Sequence, residues 1–191
     1  MTKAMTIIRA EHRAIGAVLK GLLGVVAEIE AGNREPDFRL IDAMVHYIEA
    51  MPETLHHPKE DEYLYAALAD RTEDQKPLLD EIHAEHGAGR EIGRDLIASL
   101  LAYRVQGASA LAPFAAAVRA YTELQWTHMR KEEEILLPLA ERLLSASDWA
   151  AVDAAFEAND EARLEPEKRK AFRELFRRLA ALTPAPFGLG D

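Results

Sequence analysis

The sequence predicts an all-α protein, an up-down-up-down four-helix bundle followed by a shorter C-terminal helical extension. Three observations predict it. Four long stretches carry apolar residues at helical spacing, the connections between them are short, and the second pair of stretches repeats the histidine and glutamate pattern of the first. With 191 residues, 49% of them hydrophobic, the chain can bury one sizeable core. The expected division is residues 1–144 for the bundle and 145–191 for the extension.

The first helix is expected over residues 5–31. Met5, Ile8, His12, Ile15, Leu19, Leu22, Val26 and Ile29 recur at steps of three and four and form one inward stripe, and Gly32-Asn33 ends it. Asp37 can cap the second helix, which runs to about Asp70 with Phe38, Ile41, Val45, Ile48, Leu55, Leu64 and Leu68 inward. Pro52 and Pro58 predict a kink or break within it. Thr72 and Gln75 have the spacing of a capping box for the third helix, to about Gln106. The fourth spans about 112–144, with a distortion at Pro138. Beyond it, Ser147 can cap a short helix through Phe156, and Glu165-Pro166 can open another to about Ala181. The tail from Thr183 onward, rich in Pro and Gly, should be irregular. These last segments are expected to cover the bundle or serve an interface.

Composition narrows the function. A net charge of −10 disfavours a nucleic-acid partner, because phosphate binding needs clustered Lys and Arg. The one basic cluster, Lys168 to Arg178, sits among glutamates and reads as a solvated helix face. No apolar run is long enough to span a membrane. Arg9, Glu11 and His12 come too early for a secretory leader, and there is no cysteine, so a cytoplasmic protein without disulfides or thiolate metal sites is expected.

The repeat carries the histidines. Ala10-Glu11-His12 matches Ala84-Glu85-His86, and the run that begins at His56 matches the run that begins at His128, with nearly the same offset in both cases. Each half is thus one helical hairpin with a histidine on its first helix and His-x-x-x-Glu on its second. At about 1.5 Å rise per residue, His12 and His56 stand some 27–29 Å above their shared loop, and His86 and His128 about 24–30 Å above theirs. A spacing of four leaves His56 and Glu60, or His128 and Glu132, about 40° apart on one face. A single histidine on an apolar face is ordinarily a satisfied core residue. Four at matched heights, with two glutamates, are costly to bury unless a cation compensates them. Imidazole and carboxylate without thiolate suit iron, manganese or zinc.

This His…His-x-x-x-Glu…His…His-x-x-x-Glu pattern on four helices resembles the hemerythrin-like, or HHE cation-binding, family over about residues 5–144. The resemblance implies a non-haem di-iron centre with an oxo or hydroxo bridge, carboxylates bridging the irons and histidines at terminal positions. By position its ligands would be His12, His56, Glu60, His86, His128 and Glu132. The sequence departs from the animal oxygen carriers: Ile82 stands where they have a further histidine, and both Glu132 and Glu133 are available near the last one. The symmetric spacing favours Glu132. Two octahedral irons offer 12 positions; two bridging carboxylates fill four and a bridge two. His83 is the candidate fifth histidine, about 60° around the helix from His86, though a surface or supporting role suits it better. His57 points about 100° from His56 and should be exposed, as should His46. Glu11 and Glu85 can support the ligands, and Tyr47, Tyr63, Tyr65, Tyr103, Tyr121 and Trp126 are packing residues able to shield the centre.

The function expected from this is binding of, or response to, a small oxidant such as dioxygen, peroxide or nitric oxide. The alternatives are iron storage or donation, and a metal-free helical module acting through a protein partner. No glycine-rich phosphate loop or nucleophile set is present, and no general acid or base stands out beyond the ligand candidates, so no turnover is assigned. Oligomeric state, a homo-oligomer included, is left open.

Overall fold

A computed structural model of the chain describes residues 2–162, 170 and 174–179. Among these residues all regular structure is helical. Helix α1 is Lys3–Glu30, capped by the Thr2 hydroxyl, which accepts from the Met5 N–H at 3.3 Å. It closes at Gly32, whose φ of +73° few other residues adopt, and the Asn33 N–H reaches back to the Glu28 carbonyl. Helix α2 starts as Phe38–Met51, and the Asp37 carboxylate accepts from the N–H groups of Arg39 and Leu40. It continues without a break through π-helical Pro52–His56, α-helical His57–Lys59 and π-helical Glu60–Tyr65 to Ala66–Ala69.

The expected kink at the prolines is therefore a widening. Pro52 has no N–H for the Ile48 carbonyl four residues back, and the Tyr121 hydroxyl donates there instead, at 2.6 Å. The His57 N–H bonds the carbonyl of Pro52, five residues back, which is the π-helical step.

Helix α3 is Lys76–Gln106, and a 3-10 turn, Gly107–Ala110, leads into α4, Leu111–Lys131. Helix α4 passes through a π-helical stretch, Glu132–Leu136, into Leu137–Leu143, so the distortion expected at Pro138 lies just ahead of it. Two expected caps are not used. No side chain caps α3, which starts beside Pro77 at Lys76 rather than at Thr72. Helix α5, Ala146–Ala162, is opened by Ser145 and Asp148 bonding each other's backbone N–H, not by Ser147.

Helices α1 to α4 form a closed ring of antiparallel neighbours, α1 beside α2 and α4, and α3 beside α4 and α2. Their apolar faces build two separate layers. One, towards the α1–α2 and α3–α4 turns, holds Ile15, Leu22, Ile41, Ile48, Leu96 and Phe114; the other, at the far end, holds Met5, Ile8, Leu64, Ile82, Leu136 and Phe156. Helix α5 closes the far end through Val152 and Phe156, and Asp153 accepts from the Ala4 N–H at 2.8 Å. Residues 174–179 are helical and pack on the other layer, with Phe176 5.8 Å from the Tyr47 ring. The helix expected to open at Glu165-Pro166 otherwise lies outside the described residues, as does the tail. No helix among the described residues is long and apolar enough to cross a membrane.

Candidate metal centre

Between the two layers the interior turns polar. Among the described residues, the buried charged and polar ones are His12, His56, His57, Lys59, Glu60, His86, Thr122, Gln125, His128 and Glu132, and nearly all sit at this level. His12 falls between Ile8 of one layer and Ile15 of the other, so the apolar stripe of α1 is interrupted once, where the histidines meet.

Two groups of donor atoms converge here. Ligand atoms of His12, His56, Glu60 and Glu132 lie within 4.8 Å of one another, and so do those of His57, His86 and His128. The Nε2 atoms of His12 and His56 are 3.0 Å apart, and those of His86 and His128 are 3.2 Å apart. Two nitrogens about 2.1 Å from one cation, at right angles to each other, would show such a spacing. Glu132 spans the groups: Oε2 is 3.1 Å from His12 Nε2 and Oε1 is 3.4 Å from His128 Nε2. Glu60 Oε2 lies 3.5 Å from His56 Nε2. The Oε2 atoms of Glu60 and Glu132 are buried and have no hydrogen-bond donor. Two orphaned carboxylate oxygens facing ring nitrogens are the arrangement a cation would satisfy.

The outward nitrogens support the same reading. Nδ1 of His12 pairs with Glu133 at 2.8 Å, His56 with Glu11 at 2.8 Å, His57 with Glu53 at 3.2 Å, His86 with Asp61 at 3.2 Å and His128 with Glu85 at 3.0 Å. A carboxylate behind each Nδ1 assigns the ring proton there and leaves the Nε2 lone pair for the interior. The pairs obey the sequence repeat. Glu11 and Glu85 serve the second-helix histidines of their own hairpins, while Asp61 and Glu133, equivalent positions of the repeat, each cross to the other hairpin. Lys59 and Lys131 complete the pattern by donating to Glu11 and Glu85.

Without a metal charge the site is electrostatically poor. Burial, then the neighbouring Glu132, holds the Glu60 carboxyl well above the usual range. Burial also acts to raise Glu132, but the charges of His128 and His12 outweigh it and hold Glu132 low. Burial pushes His56 down to about 4 and His57 well below its ordinary value. For His12, burial is outweighed by Glu132 and Glu133, which draw its pKa up. The Tyr65 hydroxyl, kept protonated by burial and by the charge of Glu132, donates to Glu132 Oε1.

The structure places the residues expected from sequence as follows. His12, His56, Glu60, His86, His128 and Glu132 come together. Glu133 turns outward to His12. His83 does not enter the cluster: its side chain is 67% exposed and pairs with Asp61. His57 overturns its expected exposure. It is buried and stacks on His86 with ring centroids 3.9 Å apart. The expectation rests on about 100° per residue; the π-helical steps on either side turn the backbone less, so adjacent His56 and His57 both face inward. Position 129, its counterpart in the repeat, is Met. The residues missed by sequence reasoning are His57 and the outer partners Glu53, Asp61, Lys59 and Lys131; Glu133 enters it only as an alternative ligand to Glu132. The repeat offset marks Asp61–Glu133 and Lys59–Lys131 as equivalent; Pro52 and Pro58 are the only sign of the widened helix.

The two lysines should differ in what their loss costs. Lys59 is buried beneath the Phe156 ring, with Nζ 5.6 Å from its centroid, whereas Lys131 also reaches exposed Glu81. Lys59→Met leaves Glu11 buried without its cation and should destabilise the metal-free protein by about 3 kcal/mol. Lys131→Met should cost about 1 kcal/mol or less. Urea unfolding of both variants checks the difference.

Neither the curated proteins nor the solved structures contain a significant relative of this chain. The family model described as the hemerythrin HHE cation-binding domain matches residues 3–140, the whole of the ring α1 to α4 up to Ala140. With the paired His-x-x-x-Glu helices and the His and Glu clusters between them, the chain belongs to the hemerythrin HHE cation-binding domain family.

Proposed function

We propose that the protein holds two iron ions between its helices and uses them to bind a small oxidant such as dioxygen, peroxide or nitric oxide. His12 and His56 would hold one ion, and His57, His86 and His128 the other, with Glu60 and Glu132 between them. One observation carries this: five ring nitrogens and two donorless buried carboxylate oxygens converge where the apolar core is interrupted. Iron, once bound, would supply the change of oxidation state, and a bridging oxo or hydroxo group is the family's expectation; manganese and zinc suit the same donors.

The chain's own residues do the remainder. The outer carboxylates fix ring tautomers, and the layers around Ile8 and Ile15 exclude water. The five histidines divide three to two, which leaves the His12–His56 side one donor short. That side borders a surface cleft of about 360 Å³ lined by His12, Gly16, Trp126, Met129 and Glu133. A small ligand would enter from that cleft.

Metal analysis with an absorption spectrum in air tests the reading. About two irons per chain with near-ultraviolet charge-transfer bands is the expected result. Iron that a mild chelator strips within minutes would favour storage or donation. No metal after anaerobic iron reconstitution would leave the histidines as packing residues and refute the proposal.

A further inference from the structure

Five carboxylates stand behind the Nδ1 atoms of the central histidines, and they differ in what closes them from outside. Glu11 is closed by Lys59, Glu85 by Lys131 and Glu53 by Arg90. Each of these is a fixed cation that cannot ligate a metal and repels one approaching. Glu133 borders a cleft whose rim carries Arg13 and Arg130. Asp61 alone among the five is paired with a second imidazole. Its Oδ1 is 3.0 Å from Nδ1 of His83 and its Oδ2 is 3.2 Å from Nδ1 of His86.

These three residues form a third group whose ligand atoms lie within 4.8 Å of one another. It is graded from solvent inward: His83 is exposed, Asp61 half-buried and His86 buried. His86 is the one residue shared with an inner group, facing Asp61 through Nδ1 and His128 through Nε2. The repeat does not reproduce the arrangement. The position in the first hairpin equivalent to His83 is Arg9, so a permanent cation stands there where the second hairpin has a ligand.

We infer that Asp61 and His83 form an outer cation station, which captures a divalent metal from solvent and delivers it to His86 and the interior. The inference rests on the metal-centre reading, and deepens it by naming the side on which the metal enters. His83 and Asp61 offer an imidazole and a carboxylate, donors that a divalent transition metal accepts, without the number needed to retain it. Transfer inward moves the ion from one exposed and one half-buried donor to a set containing three imidazoles and a carboxylate.

The test is the rate at which metal-free protein takes up cobalt(II), followed by stopped-flow absorption and closed by cobalt analysis. His83→Ala should load about tenfold more slowly, since a charged or ligating funnel raises the local ion concentration by at least that factor. The final cobalt content should equal that of the wild type. His83→Arg, which copies Arg9, should load more slowly still. Equal rates in all three proteins would overturn the inference while leaving the metal centre intact. A lower final content in His83→Ala at an unchanged rate would also overturn it, because His83 would then be a resident ligand. No uptake by the wild type would remove the metal-centre reading and the station with it.

Discussion

Glu132→Gln should lose most of both metals while keeping its fold. The substitution conserves shape and leaves an amide oxygen to accept from Tyr65, but removes the one carboxylate whose two oxygens face the two histidine groups, at 3.1 and 3.4 Å. A metal present at a thousand times its Kd stabilises the folded chain by about 4 kcal/mol. For a chain of this length that corresponds to roughly 8–16 °C in Tm. The metal-supplied variant should therefore melt near metal-free wild type. The metal-free variant should be somewhat less stable than metal-free wild type, because His128 and His12 hold the Glu132 carboxylate well below its ordinary pKa, and that favourable pairing is lost with the charge. Glu133→Gln is the contrast: it removes only an outer partner of His12, so affinity should fall by about 10- to 100-fold with both metals still bound at saturation. Full metal content in purified Glu132→Gln would exclude Glu132 as a shared ligand.

His57→Leu should separate the two metal positions. The leucine fills most of the ring's volume against His86 and supplies no donor, so the three-histidine group becomes a pair while His12 and His56 are untouched. The second metal should then bind on the order of 100-fold more weakly or worse, above the loss of an outer partner. Protein dialysed against trace metal should retain about one equivalent per chain, whereas His83→Ala should retain two. Titration calorimetry of the metal-free variants gives both values. Two unchanged equivalents in His57→Leu would leave His57 as a packing residue and bring the count back to four imidazoles.

These two variants also mark where the sequence is legible and where it is not. The helix stripes and the repeat place His12 level with His56 and His86 level with His128, because regular α-helices convert residue counts into heights and angles. The same arithmetic favours Glu132 over Glu133; in the structure Glu132 is buried and Glu133 pairs with the outward nitrogen of His12. The arithmetic fails where the helix is not α. It assigns His57 to the surface because the π-helical steps around that residue cannot be read from hydrophobic spacing, although Pro52 and Pro58 disturb the backbone there. The Thr72–Gln75 box fails for a related reason, since Pro77 sets the start of α3 later. Asp61 and Glu133 are visible as equivalent positions, but that each crosses to the opposite hairpin depends on how the hairpins face each other, and no local pattern states it.

The inner donors also cross between hairpins, and this affects how the protein is made. The first hairpin, ending at Ala69, supplies His12, His56 and Glu60, but the group they form also includes Glu132, which lies near the end of the second hairpin. The second hairpin supplies His86 and His128, but their group takes its third imidazole from His57. A ribosome therefore releases all of His12, His56 and Glu60 well before the carboxylate that completes their set. Metal captured by the emerging first half meets an incomplete donor set and can dissociate, and firm retention waits until both hairpins are synthesised and docked. With the proposed ligand set, this exchange of one donor in each direction makes metal retention depend on both hairpins being made and docked.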